Sequence, residues 1–113
     1  MIEWERARNW IIPALTDGDT ETDVVVRLLE GSAQLWLGEA SAMVTEVIRD
    51  PRTLHVWLAG GDLGEVVSFT PGIAAWARMM GCKSATIDGR KGWLRALRRH
   101  GFRRDGDLLR KAL

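Results

Sequence analysis

The sequence predicts a mixed α/β (α+β) fold, in which a central, mostly antiparallel twisted sheet carries helices on both faces. Apolar residues recur at helical spacing near the N-terminus, three segments then alternate apolar and polar residues, and a helix–strand–helix pattern follows. The chain has 113 residues, of which 46% are hydrophobic, and this is enough for one core. We therefore expect a single domain over residues 1–113.

Two helices are predicted before the first strand. In the first, apolar residues recur at spacings of three and four, namely Trp4, Ala7, Trp10 and Ile11. Pro13 is expected to bend or end this helix. Thr20 is expected to cap the second helix, with Asp23 completing an approximate capping box, and Gly31 is expected to end it. The buried stripe of the second helix is predicted to contain Val24, Val25, Leu28 and Leu29.

Three segments with period-two alternation follow and predict an antiparallel meander. They are AQLWLGE, AMVTEVIRD and TLHVWLAGG, and short turns connect them. In the third segment, Leu54, Val56 and Leu58 are expected on one face of the sheet. His55 and Trp57 are expected on the other face.

The third strand opens a β-α-β-α succession. Thr70 is expected to cap a helix that has Pro71 at its first position. The segment CKSATID, residues 82–88, predicts a strand parallel to the third one, reached by a crossover connection. RKGWLRALRRH predicts a final helix ended by Gly101, and FRRDGDLLRKAL predicts a terminal strand or hairpin.

Composition narrows the functional classes. No apolar run reaches the length of about 20 residues that spans a bilayer, and the N-terminus does not have the pattern of a secretory signal. The single cysteine, Cys82, cannot form an internal disulfide, which fits a reducing compartment. The net charge is +1, but residues 1–70 hold five Arg and twelve acidic residues, and residues 71–113 hold eleven Lys or Arg and three Asp. Such a separation suits docking of an anionic ligand or a complementary subunit, although the two halves could also fold against each other and cancel.

The order of elements resembles that of the GNAT acetyltransferase family. The resemblance is strongest over residues 54–102, where the segments LHVWLAGG and AAWARMMGCKSATIDGRKGWLRALRRHGF resemble the acetyl-CoA half of the family. The usual first strand of the family has no clear counterpart before Trp4. The chain is thus similar to a shortened GNAT-like domain of the kind found in tailed bacteriophages and prophages.

The resemblance implies a site for the pyrophosphate of acetyl-CoA in the segment AGGDLGEVV, residues 59–67. In the family, backbone N–H groups of this loop bind the pyrophosphate at a helix N-terminus. Gly60, Gly61 and Gly64 are the candidate cofactor-binding residues here. However, no Arg or Gln leads the loop, and Asp62 and Glu65 place like charges beside the anion. We therefore expect a turn-forming loop that is poorly suited to the cofactor.

The resemblance also implies a general acid, which is missing. Many members of the family carry a tyrosine four residues before the glycine of the closing Gly-Phe, and that position is Leu97 here. The chain contains no tyrosine, which leaves Cys82 or a bound water as substitutes. Glu46, within the predicted strand AMVTEVIRD, is the candidate general base at the position that some members of the family use, and a solvated surface glutamate is the alternative.

A basic surface is predicted on the last helix and the tail. Its residues are Lys91, Arg95, Arg98, Arg99, Arg103 and Arg104, and the opposite, core-facing side contains Trp93, Leu94 and Leu97. Nucleic-acid binding through phosphates is open, but no base-reading motif accompanies the arginines, so a solvated or protein-docking surface is favoured. Membrane binding is not expected, because the core needs the apolar side. Two histidines and one cysteine without paired spacing predict no metal site.

We therefore expect a phage- or prophage-encoded GNAT-like protein without efficient acetyltransferase activity, acting through protein–protein contacts as a virion component or assembly accessory. Six tryptophans in so short a chain favour a protein partner or a homo-oligomer. The expected location is the host cytoplasm or the virion, and no cofactor is expected. Two alternatives stay open: a small N-acetyltransferase that uses acetyl-CoA, and a nucleic-acid-binding accessory protein.

Overall fold

The computed structural model describes residues 2–16, 18–49, 51–88 and 93–113. The α-helices in these ranges are α1 (Ile2–Ile11), α2 (Glu21–Glu30), α3 (Leu63–Ser68), α4 (Thr70–Met79) and α5 (Trp93–Leu97). The strands are β1 (Ala33–Leu37), β2 (Ser41–Ile48), β3 (Thr53–Gly61), β4 (Ser84–Asp88), β5 (Arg103–Asp105) and β6 (Leu108–Ala112). Short 3-10 turns occupy Ile12–Ala14 and Arg98–His100. The radius of gyration, 13.3 Å, is that of a compact chain of this length.

The strands form one mixed sheet in the order β1-β2-β3-β4-β6-β5. β1, β2 and β3 pair antiparallel, β3 and β4 pair parallel, and the C-terminal hairpin of β5 and β6 pairs antiparallel with β4. The predicted mixed α/β class is confirmed, as are the meander and the parallel fourth strand. The parallel pair requires a crossover, and α3 and α4 supply it.

β3 departs from regular alternation at Trp57. Val44 pairs with Leu58 and the next residue, Thr45, pairs with Val56, so Trp57 is an extra residue in β3 and forms a β-bulge. Leu58 consequently packs on the opposite side of the sheet from Val56. The predicted single face for Leu54, Val56 and Leu58 is therefore wrong, because the extra residue shifts the alternation by one position.

The sheet separates two apolar cores. We call the first the N-terminal core; its buried residues are Trp4, Ala7, Ile11, Ala14, Val24, Ala33, Ala42, Val44 and Leu58. The C-terminal core contains Met43, Leu54, Val56, Ala59, Val66, Ile73, Ala77, Cys82, Ala85, Ile87, Leu97, Phe102 and Leu109. Helices α1 and α2 contribute to the first, and α3, α4 and α5 to the second, so helices cover both faces of the sheet as predicted. Trp36 packs against the C-terminal core and Trp57 against the N-terminal core, so these two rings do not form one outer patch.

The termini of α2 follow the predicted capping residues. The Thr20 hydroxyl accepts a hydrogen bond from the Asp23 backbone N–H, and the Asp23 carboxylate accepts one from the Thr20 N–H. Gly31 ends the helix in the left-handed region at φ 81°. The predicted buried stripe is wrong for Leu29, which is 70% exposed, because Leu29 lies with Val26 on the solvent-exposed side of α2.

Two expectations for the crossover are wrong. Residues 63–68 form α3, where a loop was expected, because Asp62 caps this helix by accepting a hydrogen bond from the Glu65 N–H. Thr70 is the first residue of α4 and does not cap it, since the helical backbone of Phe69 already precedes it. The two short helices therefore run almost continuously from the end of β3 towards β4.

An ion pair and a further hydrogen bond, both to Glu21, join α1 to α2. Arg8 donates from Nε to one Glu21 carboxylate oxygen (2.7 Å) and from Nη2 to the other (2.9 Å). The buried Trp4 donates its indole N–H to Glu21 at 3.0 Å. The hydrogen bonds from Arg8, and then from Trp4, lower the pKa of Glu21 to about 2.

We predict that Glu21 makes stability depend on pH at the acidic end. Because its pKa is lower in the folded chain than in the unfolded one, its contribution is complete above pH 4.5, the ordinary value, and is lost as the pH falls towards 2. Urea unfolding of wild type and Glu21→Gln between pH 2 and 6 checks this. The variant should show a flatter decline in unfolding free energy. Glu3→Gln, at an exposed position on α1 outside the Arg8–Glu21 ion pair, should keep the wild-type slope. Equal slopes for wild type and Glu21→Gln would contradict the prediction.

Candidate functional site

The candidate cofactor loop begins with two glycines that pack against the chain's own backbone. A Cβ atom at Gly60 would lie 2.2 Å from the carbonyl oxygen of Trp10, at the end of α1. Gly61 has φ +99°, and a Cβ there would lie 2.3 Å from the carbonyl oxygen of Ala40. The close approach that glycine permits at both positions is thus used within the fold. Gly64 is different, since the nearest neighbour of a Cβ there is the Asp62 carboxylate at 3.3 Å.

The N-terminus of α3 is occupied by the chain's own carboxylates. Asp62 accepts a hydrogen bond from the Glu65 N–H at 2.8 Å. The Glu65 carboxylate accepts hydrogen bonds from the Ala40 N–H, at 3.0 Å, and from the Ser41 hydroxyl. These bonds, the one from Ser41 first, lower the pKa of Glu65 below its ordinary value, so this carboxylate is ionised at neutral pH. An incoming pyrophosphate would meet two negative charges here.

Gly38 makes room for this arrangement. A Cβ at Gly38 would lie 1.9 Å from a Glu65 carboxylate oxygen, so only glycine lets that carboxylate reach the β1–β2 turn. Ser41, which donates to it, is fully buried. Glu65 therefore ties α3 to the turn between β1 and β2, and we assign its carboxylate a structural role.

The described pairing of β3 with β4 ends beside the bulge, one residue before β4 itself ends at Asp88, and we call this end of the strand pair the parting of β3 and β4. Their parallel pairing runs from Thr53–Ser84 to Val56–Ile87 and does not include the last five residues of β3. A shallow depression at this point is lined by Val56, Trp57, Ala59, Ile87, Asp88 and Trp93. Such a parting of two parallel strands can admit a narrow, extended ligand.

The positions that the resemblance implies for a general acid, and its substitute Cys82, supply no proton donor at this parting. Leu97, at the tyrosine position, is 3% exposed and packs in the C-terminal core. Cys82 is buried at the opposite end of β4, about 16 Å along the chain from Ile87 at the rise of an extended strand, and burial raises the pKa of its thiol. Neither residue offers a proton donor at the parted end of the strands.

Glu46 lies on β2, on the face that α1 and α2 cover. Its carboxylate pairs with Arg27 of α2 at 3.2 Å, and its side chain is 24% exposed. The guanidinium of Arg27 also lies 4.3 Å from the ring centroid of Trp57, the bulged residue. Glu46 is thus held in a network with α2, while its role as a base stays a prediction.

His55 is a polar residue of this face that sequence reasoning did not single out. It pairs across the sheet with Glu46, and its Nδ1 lies 2.8 Å from the hydroxyl of Thr86 on β4. The alternation of apolar and polar residues in β2 and β3 predicts that Glu46 and His55 point away from the apolar side of their strands. It does not predict that they pair, because the pairing depends on the register of β2 with β3, which changes at the bulge. Only the structure brings the two together.

The described part of the basic surface is exposed. Five of its six residues are exposed, namely Arg95, Arg98, Arg99, Arg103 and Arg104, and Lys91 lies outside the described residues. Arg103 donates to the carbonyl oxygens of Arg98 and Phe102 at 3.1 and 2.8 Å. Over the described ranges, the ion pairs join Arg8 to Glu21, Arg27 to Glu46 and Arg110 to Asp105, so they do not include these five arginines. On the other side of α5, Trp93, Leu94 and Leu97 pack against the C-terminal core, as predicted.

Other site classes have no counterpart in the described residues. No group of three or more His, Cys, Asp or Glu side chains in these ranges is placed to hold a metal ion. No helix in the same ranges combines the length and apolar character that crossing a membrane requires. No protein-family model matches the chain, and neither curated proteins nor solved structures give a significant match.

We predict that Gly61→Ala destabilises the protein by about 2–4 kcal/mol, because the left-handed backbone and the close Ala40 carbonyl both resist a Cβ. Urea unfolding monitored by tryptophan fluorescence measures this. Gly72→Ala in α4 is the matched control, since nothing lies within 4 Å of a Cβ there. It should leave stability unchanged or raise it by up to about 1 kcal/mol. Equal stabilities for the two variants would show that Gly61 is not constrained as described.

Proposed function

We propose that this chain is a GNAT-like domain of phage or prophage origin that has lost efficient acetyl transfer and acts through protein contacts. The observation that carries the loss of activity is the N-terminus of α3, where the Asp62 carboxylate takes a backbone N–H that would otherwise serve an anion. Glu65 adds a second ionised carboxylate that is bonded to the β1–β2 turn.

The element order supports the GNAT-like part of the proposal. Two helices precede an antiparallel meander, a helical crossover leads to a parallel strand, and a helix with a closing Gly-Phe leads to a hairpin. The bulge at Trp57 and the parting of β3 from β4 fit a strand pair that once held an extended cofactor. Leu97 is buried at the position where the family carries a tyrosine, which fits a domain that has kept the fold and lost the general acid.

Exposed apolar side chains support a function in protein contacts. Among the described residues, the large apolar side chains that are exposed are Val26, Leu29, Ile48, Leu63, Met79 and Met80. Leu29 and Met79 are 70% and 78% exposed, so a partner that covered them would remove apolar surface from water. A component of a virion or of its assembly would cover such residues with a neighbouring subunit. Capsid or tail genes beside the coding sequence would agree with this location.

A small acetyltransferase is the second candidate function, and the parting of β3 and β4 favours it. In that case acetyl-CoA would bind between these strands, and Glu46 would take the proton of an acceptor amine. The carboxylate of Glu46 would first have to leave Arg27.

Calorimetry with acetyl-CoA separates these two candidates. We expect no saturable binding, that is, a Kd weaker than about 1 mM, because two carboxylates oppose the pyrophosphate. A low-micromolar Kd, accompanied by acetyl transfer to a panel of amines, would overturn the proposal. Gly64→Glu is the matched control for such a signal, because a Cβ there would meet only the Asp62 carboxylate, at 3.3 Å, and the longer side chain would block the loop without entering the core.

Nucleic-acid binding is a third candidate, favoured by the exposure of five arginines at one end of the chain. It predicts a mobility shift of short duplex DNA that weakens steeply with salt and is lost in the double variant Arg95→Glu, Arg98→Glu. The double variant Arg49→Glu, Arg78→Glu makes the same change of charge at exposed positions outside that surface and should keep the shift. A shift that both double variants retain would remove this candidate.

A further inference from the structure

The two edges of the sheet differ in a way that bears on assembly. β1 and β5 are the edge strands. β5 is three residues long, and all of them, Arg103 to Asp105, are charged and exposed. Short, charged edges resist pairing with another strand. β1 has five residues, Ala33 to Leu37, and contains no charge and no proline.

An uncharged edge is what pairing with an identical copy requires. When a strand pairs antiparallel with itself about a two-fold axis, each residue meets another residue of the same strand, so a charged strand brings like charges together. The AQLWL sequence of β1 brings none together. β5, with two arginines in three residues, would repel its copy.

Exposed apolar side chains surround this edge on both faces of the sheet. Val26 and Leu29 lie on α2, which leads directly into β1 and shares the N-terminal core with it. Met80, at the end of α4, borders the same cleft as Gln34 of β1. Ile48, 46% exposed, ends β2, the strand that pairs with β1. A partner strand at β1 would bring its own helices over these residues.

We propose that β1 joins two copies of this chain in an antiparallel, two-fold pair centred on Leu35, which makes one continuous twelve-stranded sheet. In this register Leu35 meets Leu35 of the second copy, Gln34 meets Trp36, and Ala33 meets Leu37. All five residues of β1 are then paired, and each side chain stays on its own face of the sheet. Because α2 covers β1, the two α2 helices lie side by side, and Val26 and Leu29 pack between them.

The inference rests on the proposed function in protein contacts and names the first partner as a second copy. It makes no use of acetyl-CoA, so the two can fail separately. A monomer that does not bind acetyl-CoA would overturn the pairing alone. A dimer that binds acetyl-CoA tightly would overturn the loss of cofactor binding alone.

Sedimentation equilibrium of the full chain tests the pairing. The wild type is expected at twice the 12.6 kDa of one chain. Leu29→Glu should raise the dimer dissociation constant by about ten- to a hundredfold, because it places a carboxylate in the apolar contact between the α2 helices. Leu29 is 70% exposed in the single chain, so the variant should keep the wild-type circular dichroism spectrum. Arg104→Glu puts a glutamate on the opposite edge and should leave the dissociation constant unchanged.

Cysteine cross-linking tests the register. In Leu35→Cys the two thiols would face each other across the axis, with Cα atoms about 5 Å apart, and a thiol oxidant such as diamide should join them. In Leu37→Cys each thiol would face Ala33, and the two would lie about 14 Å apart, so no cross-link should form. The native Cys82 is buried and does not compete. A monomeric wild type at about 100 µM, well above the micromolar dissociation constants of weak complexes, would overturn the proposal. A dimer in which Leu35→Cys does not cross-link, or in which Leu37→Cys does so equally well, would also overturn it.

Discussion

The extra residue at Trp57 is the constraint on which the rest of the fold depends. β3 is a central strand of the sheet, with β2 antiparallel on one side and β4 parallel on the other. The bulge moves Leu58 to the face of the N-terminal core while Leu54 and Val56 stay in the C-terminal core. One strand therefore supplies both cores with large side chains. The described pairing of β3 with β4 also ends beside the bulge, at Val56 and Ile87.

In the loop that follows the bulge, the glycines and the N-terminus of α3 make contacts within the chain and are not left available to an anion. Gly60 accommodates the end of α1, Gly61 accommodates the β1–β2 turn, and Asp62 caps α3. Glu65 then bonds the turn that Gly38 leaves open. Each of these groups is explained by packing or hydrogen bonding inside the fold. The loop therefore connects α1, α3 and the β1–β2 turn. This is the physical basis for proposing that the protein acts through protein contacts and not through transfer of an acetyl group.

A polar network lies on the face of the sheet that α1 and α2 cover, and Glu46 is part of it. Glu46 was the candidate base because the resemblance implies a base at its position, and the structure pairs its carboxylate with Arg27 and its backbone position with His55. Arg27 in turn lies over Trp57, so the bulged residue, the ion pair and α2 form one unit. α2 ends at the uncharged edge strand β1, and its outer side carries Val26 and Leu29. The proposed pairing of two copies would cover the part of α2 that the sheet leaves exposed.

Local patterns in the sequence predicted the classes and order of most elements, with the exception of α3. Helical spacing, the Thr20–Asp23 capping box, Gly31 and period-two alternation all act over a few residues, and they predicted their elements correctly. The sequence also showed that Leu97 cannot donate a proton. Tertiary structure decided what depends on residues far apart in the chain. The bulge at Trp57 arises from the pairing of β2 with β3, the exposure of Leu29 from the position of α2 on the sheet, and the role of Glu65 from a turn 24 residues earlier. These features are set by strand register and by long-range packing, which no local periodicity records.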